Sequence, residues 1–263
     1  MAITTRTAME LYHEVRGSGP AVLLIPGATG DAGHFTSTAE LLSDEFTVIT
    51  YDRRGNSRSR VTGDPELASR ISAQADDAAA LITGCGFERA AVFGNSGGAT
   101  IAIELLTSHP DVVKGAALHE PPLFALFPQN GPSPLEPIFA MAESNPRGAL
   151  ERFVRANSSD AAWEAIEPAT RERMLGNGTA LVKYELPQFL SYRPNEDRLR
   201  GTNLPVALLR SRDGQAFAPP VVAWLEKLFG VETVVLTGHH APFFDAPKVF
   251  AEELRPILRR LWT

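Results

Sequence analysis

Ser96 stands in Gly94-Asn95-Ser96-Gly97-Gly98, between the apolar run 90–93 and the Ala-rich stretch 99–106. A Gly-x-Ser-x-Gly at the junction of a buried strand and a helix turns the chain so tightly that the serine takes a strained backbone conformation. Glycines are then required where side chains would strike the neighbouring strand or helix. The chemistry open to such a serine is attack on a carbonyl carbon, with the amide that follows it, Gly97 N–H, placed to receive the developing oxyanion. A serine hydroxyl is a weak nucleophile at neutral pH unless an adjacent base takes its proton, so a histidine and a group to orient it must be found elsewhere in the chain. His239 and His240, in Thr237-Gly238-His239-His240-Ala241-Pro242, follow the apolar run 231–236 directly and so fall on a loop at the carboxyl end of a strand. His13 lies in an early strand, His34 opens a helix and His109 precedes a proline, positions that read as structural or exposed.

Two carboxylates compete for the orienting role. Asp213 comes after the strand 206–209, and Glu120 ends the strand 115–118 in His119-Glu120-Pro121-Pro122. Neighbouring strands lie about 4.8 Å apart, so an acid one strand beyond the nucleophile reaches the same histidine only with a longer side chain, which glutamate supplies. Without that chemistry, Glu120 would cap strand-end N–H groups and Asp213-Gly214 would be a turn.

The elements needed to hold these groups are visible in the hydrophobic pattern. Strand-like runs at 9–15, 21–25, 47–51, 90–93 and 115–118 alternate with helical segments at 34–42, 69–83 and 99–108, the rhythm of a sheet covered by helices on both faces. From 121 to 203 strand signals vanish and prolines punctuate short amphipathic stretches, with Leu150, Phe153 and Val154, and then Trp163 and Ile166, at helical spacing. This segment reads as a helical cap inserted into one core domain of residues 1–120 and 204–263. The strand-helix rhythm returns at 206–209, 220–229, 231–236 and 248–262.

Composition narrows the partners. The 263 residues carry a net charge of -6, which argues against nucleic acid, and no apolar run approaches the length needed to span a bilayer. With no secretory pattern at the N-terminus, a cytoplasmic protein is expected, either monomer or homodimer. Cys85 is the sole cysteine, so no intrachain disulfide or cysteine-based zinc site can form. The turn Pro26-Gly27-Ala28-Thr29-Gly30 lacks the Lys-Ser/Thr ending of a phosphate-binding loop. No cofactor or metal is called for.

His240-Ala241-Pro242-Phe243-Phe244-Asp245-Ala246-Pro247 resembles the His-x-Pro-x-x-acid-x-Pro segment after the last strand of the α/β-hydrolase superfamily. Gly17-Ser18-Gly19-Pro20 before a strand ending in Pro26-Gly27, and Asp52-Arg53-Arg54-Gly55-Asn56-Ser57, match other parts of the same pattern. The resemblance implies a mostly parallel eight-stranded sheet flanked by helices, His240 as the base, His239 as its substrate-facing neighbour and Ala28 N–H as the second oxyanion donor. Gly94 to Ala99 followed by His119-Glu120-Pro121-Pro122 looks like the branch containing fungal zearalenone lactonases, whose acid occupies the Glu120 position. In that branch the region of Ala162-Trp163-Glu164-Ala165 carries a tryptophan that contacts substrate, which implies such a role for Trp163.

The implied function is a metal-free serine hydrolase opening a carboxylic ester or lactone through an acyl-enzyme. Phe124, Phe127, Phe189 and other apolar residues of the cap suit a small-molecule substrate that is bulky and hydrophobic, such as a macrocyclic or polyketide-like lactone. Three alternatives remain on the same groups: a cofactor-free haloperoxidase or perhydrolase, a carbon-carbon bond hydrolase, and a receptor that binds ligand without turnover.

Overall fold

The computed structural model describes residues 2–6, 9–61, 63–127 and 136–263. Its centre is a twisted sheet of β1 (Ala2–Arg6), β2 (Met9–Arg16), β3 (Ala21–Ile25), β4 (Thr47–Tyr51), β5 (Arg60–Val61), β6 (Ala90–Asn95), β7 (Val113–His119), β8 (Val206–Asp213) and β9 (Thr233–His239). Eight strands run in the order β1-β2-β4-β3-β6-β7-β8-β9, and the two-residue β5 adds a ninth by pairing with β2. β1, β2 and β5 are antiparallel to their neighbours, while every pair from β4 through β9 is parallel.

The sequence pattern identifies the seven strands from β2 to β9 other than β5. It misses β1, at the sheet edge, and the short β5. The central strands β3 and β6 are buried throughout, as expected where helices cover both faces of a parallel sheet, and they read as continuous apolar runs for that reason. One face is covered by helices Ile71–Gly84, Gly97–Ser108 and Ala218–Phe229 and the other by Thr36–Leu42 and Pro247–Trp262, each over its own apolar core.

From β3 the chain crosses to β4 on one side and then to β6 on the other. The crevice outside the carboxyl ends of β3 and β6 is therefore a topological switch point, where α/β sheets place ligands. Between β7 and β8 the described chain is helical: Glu136–Ser144, Pro146–Asn157, Asp160–Ala165, Pro168–Gly176, a π-helical turn Ala180–Glu185, Leu186–Ser191 and Glu196–Arg200. Pro146, Pro168 and Pro187, which read as breakers, stand in the first turns of three of these helices, where a missing N–H costs nothing. Asn145 and Glu167 cap the helices beginning at Pro146 and Pro168 by accepting from backbone N–H groups. Residues 128–135, inside the expected cap, lie outside the described residues.

The strand-turn-helix after β6 depends on two close backbone approaches. A Cβ on Gly98 would lie 2.2 Å from the Ile25 carbonyl oxygen, and one on Gly94 would lie 2.4 Å from the Gly98 carbonyl oxygen. Neither neighbour is a flexible side chain that could move aside. Gly98→Ala should therefore lower stability by about 1–3 kcal/mol, read from the urea midpoint. Gly176→Ala, at a helical position with open space around it, should raise stability by about 0.4–1 kcal/mol.

Candidate functional site

Ser96 sits between β6 and the helix Gly97–Ser108 at φ 54°, ψ -123°, a conformation that L-residues rarely adopt. Its amide donates to the His119 carbonyl at 2.8 Å, which pins the turn to the neighbouring strand β7. The side chain projects at the head of the helix into the crevice above the sheet, where Ser96 and His240 line the same cavity. Among the described residues the Ser96 hydroxyl makes no hydrogen bond to the His240 ring. Such contacts commonly tighten only when substrate arrives.

His240 follows β9 and is buried, and its Nδ1 is hydrogen-bonded to Glu120 Oε2. Glu120 is 1% exposed and turns out of β7 at φ 46°, a second strained non-glycine residue at the same site. Its Oε1 accepts from Ser211 N at 2.9 Å and its Oε2 from Gln215 N at 3.5 Å, so the carboxylate crosses the end of β8 to reach the histidine. Gly214 makes the crossing possible, because a Cβ there would fall 1.9 Å from Glu120 Oε1. Burial opposes ionisation of Glu120. The His240 hydrogen bond, the neighbouring His119 and His240 and the Ser211 amide outweigh it and hold the carboxyl below its ordinary range. Asp213, the competing acid, is exposed and pairs across the sheet with His239 in the last rung of β8 and β9. The residue after it matters more, since Gly214 leaves room for the other carboxylate.

A second polar layer, without a role in the sequence reading, lies beneath these groups. The Asn95 side-chain amide donates to His119 Nδ1 at 2.9 Å and to the His240 carbonyl at 3.2 Å, and His119 Nε2 meets Ser211 Oγ at 3.0 Å. With the Asn95 amide donating to Nδ1, the His119 proton resides on Nε2. Burial pushes His119 down to about 4, the carboxylate of Glu120 opposing that shift. His34, expected to be structural or exposed, is buried beside the Ser96 turn with Nδ1 2.6 Å from Thr29 Oγ1, and burial pushes it down to about 3. The helix expected over 34–42 begins instead as a short 3-10 turn, Ala32–Phe35, which swings this ring inward.

The cavity holds about 340 Å³ and is lined by Ala28, Ser96, Gly97, Phe124, Phe153, Asn157, Leu186, Phe189, Gln215, Phe217 and His240, among others. No group of the described residues accepts a hydrogen bond from the amide N–H of Ala28 or Gly97, both of which border Ser96. Phe124 lines the cavity and stacks edge-on against Phe217. Three other expected substrate contacts are not in its lining. Trp163 is 2% exposed and fills the core between the helices that follow β7 with Leu150, Val154, Leu181 and Leu186, the packing that its helical spacing equally allows. Phe127 packs edge-on against Trp224 and joins the core beneath the sheet. His239 ends β9 and is exposed, because successive residues of an extended chain face opposite ways and its neighbour His240 takes the inward direction. Asn157 and Gln215, hydrogen-bonded to each other at 2.7 Å, are the polar pair in this apolar wall, and nothing in their spacing marks them. Among the described residues no group of three or more His, Cys, Asp or Glu is arranged to hold a metal ion, and no helix is long and apolar enough to cross a membrane.

A model of the alpha/beta hydrolase family matches residues 22–253. The uncharacterized hydrolase YraK of Bacillus subtilis (strain 168) is 32% identical over 95% of this chain and 93% of its own. The chain belongs to the alpha/beta hydrolase family. A zearalenone hydrolase of Cladophialophora bantiana is 28% identical over 95% of this chain and 93% of its own. The enol-lactonase of Burkholderia xenovorans LB400 superposes with a TM-score of 0.79 at 19% identity, covering 98% of this chain and 100% of that one, which is a likeness of fold. Like those relatives, this alpha/beta hydrolase is a hydrolytic enzyme.

Two neutral buried histidines give the fold a defined acid sensitivity. His34 and His119 titrate near 6.5 when unfolded but at about 3 and about 4 when folded, so below pH 6.5 the unfolded chain binds more protons. Their contribution is complete above about pH 6.5 and is lost as pH falls toward about 4 for His119 and about 3 for His34, at up to about 1.4 kcal/mol per pH unit for each group. Urea unfolding at pH 7 and pH 5 should show this loss, and His34→Asn should flatten the dependence.

Proposed function

We propose that this alpha/beta hydrolase is a serine hydrolase that opens carboxylic esters or lactones through an acyl-enzyme. The observation that carries the reading is the buried hydrogen bond between Glu120 and His240 Nδ1, with His240 and the strained Ser96 on one cavity. Because Nδ1 is committed to Glu120, the free ring nitrogen Nε2 is the one that takes the Ser96 proton as Oγ attacks the carbonyl carbon. Glu120 then stabilises the imidazolium, and the amides of Ala28 and Gly97 hold the oxyanion. His240 returns the proton to the leaving oxygen. In a lactone that oxygen stays tethered to the acyl group. Water activated by His240 then cleaves the acyl-serine and regenerates Ser96.

Residues 121–203 act in this reading as a cap over the core formed by 1–120 and 204–263, supplying the Phe124, Phe153 and Phe189 walls. A cavity of about 340 Å³ with this apolar lining suits a bulky hydrophobic substrate whose acyl and alcohol parts are both accommodated. The 28% identity to a zearalenone hydrolase supports a macrocyclic or polyketide-like lactone as that substrate.

Ser96→Ala should reduce turnover of an aryl ester by about 10³-fold or more, and Glu120→Gln should do so to a comparable degree, whereas Asp213→Asn should stay within about twofold of wild type. Full activity of Ser96→Ala would refute the mechanism, and loss confined to Asp213→Asn would refute the choice of acid. Comparing a resorcylic macrolactone with short acyl esters tests the substrate class. Absence of measurable lactone opening would remove the lactone from it.

A further inference from the structure

Buried charges between the sheet and the helical segment converge on one peptide unit of the proposed oxyanion site. Arg53, on the loop after β4, is 1% exposed. Its Nη2 donates to the Gly27 carbonyl at 3.1 Å and to Glu185 Oε2 at 2.7 Å, while Nη1 donates to Glu185 Oε1 at 2.6 Å and to Gln74 Oε1 at 2.5 Å. The Arg53 amide also donates to the Gly30 carbonyl at 2.8 Å, and the Gly30 amide donates to the Gly27 carbonyl at 3.0 Å. One residue therefore grips both ends of the turn 27–30.

The Gly27 carbonyl and the Ala28 N–H are opposite ends of a single planar trans peptide, so fixing the direction of the oxygen fixes the direction of the N–H. A charge-assisted hydrogen bond to that oxygen also polarises the peptide and strengthens the N–H as a donor. The peptide lies against the nucleophile, since a Cβ on Gly27 would come within 3.2 Å of Ser96 Cβ. Glu185, the partner of Arg53, closes the turn Ala180–Glu185 of the helical segment. The next helix carries Phe189, whose ring centre lies 5.8 Å from the guanidinium carbon and whose edge would meet a Cβ on Gly97 at 2.7 Å. A guanidinium-carboxylate pair this deeply buried is a poor source of net stability, because desolvating both charges offsets most of their attraction. Its position on the Gly27 carbonyl gives it a different use.

We propose that Arg53, held by Glu185, is a positioning residue for the oxyanion site. It aims and polarises the Ala28 N–H toward the substrate oxygen and makes that alignment depend on the seating of the helical segment. The role rests on the acyl-enzyme mechanism above.

The test compares an aryl ester with its thionoester, whose sulfur is a weak hydrogen-bond acceptor and gains little from an oxyanion site. The double variant Arg53→Met/Glu185→Met removes both charges, so neither is left stranded in the interior. Its kcat on the oxoester should fall by about 10²-fold with KM within about twofold, and its thionoester rate should fall far less, so that the oxo/thiono ratio drops about tenfold or more. Arg53→Lys, which keeps the cation but not the two-pronged fork, should give an intermediate ratio and provides the same readout if the double variant fails to fold. Arg173→Met breaks another link between the helical segment and the core, the Arg173–Asp31 pair at 3.0 Å, without touching Gly27, and should keep the wild-type ratio. An unchanged ratio in the Arg53 variants, or an equal shift in Arg173→Met, would overturn the proposal. Retained turnover in Ser96→Ala would instead overturn the acyl-enzyme reading and this role with it.

Discussion

The interaction around which the site is built is the hydrogen bond from His240 to the carboxylate of Glu120 across the end of β8. A carboxylate that is 1% exposed survives as an anion only if donors surround it, and Ser211 N, Gln215 N and His240 supply them. The donors come from β8, from the loop after it and from beyond β9, so the charge is stabilised only when the carboxyl half of the sheet has assembled. The positive φ of Glu120 and the missing side chain at Gly214 are local consequences of that reach. Were the acid on β8 itself, neither would be needed.

Beneath it, Asn95, His119 and Ser211 form a continuous hydrogen-bonded layer joining β6, β7 and β8 to the backbone of His240. Burial keeps the His119 and His34 rings neutral at physiological pH, so neither ring adds a positive charge beside His240. The strained Ser96 and Glu120 backbones stand at the ends of adjacent strands, and the hydrogen bond from Ser96 N to the His119 carbonyl couples the two strained turns. Strain of this kind persists only where surrounding structure over-determines it.

The sequence displayed the sheet core well because parallel strands buried on both faces are written as apolar runs, as in Ala21–Ile25 and residues 90–93 of β6. It displayed Ser96, the pair His239-His240 and the two possible acids because strand ends are legible and the needed residue types are few, while His240 was singled out of its pair by the family resemblance alone. It could not display Gly214 as a clearance for Glu120, since that depends on where a side chain from another strand ends up. The cavity wall was the least legible part. Trp163 and Phe124 are both large apolar residues of one segment, and only the packing of short helices decides that the first fills a core and the second faces the cavity. Asn157 and Gln215 meet across 58 residues of chain, and His34 turns inward through a short 3-10 turn, neither of which leaves a periodic trace.

The most direct test of the central claim is to quench the enzyme in acid during steady-state turnover of a slowly deacylating ester and map the modified peptide by mass spectrometry. An acyl group on Ser96, formed and lost at rates matching kcat, is the expected result. Turnover with no covalent adduct on Ser96, or with the adduct on another residue, would contradict the account.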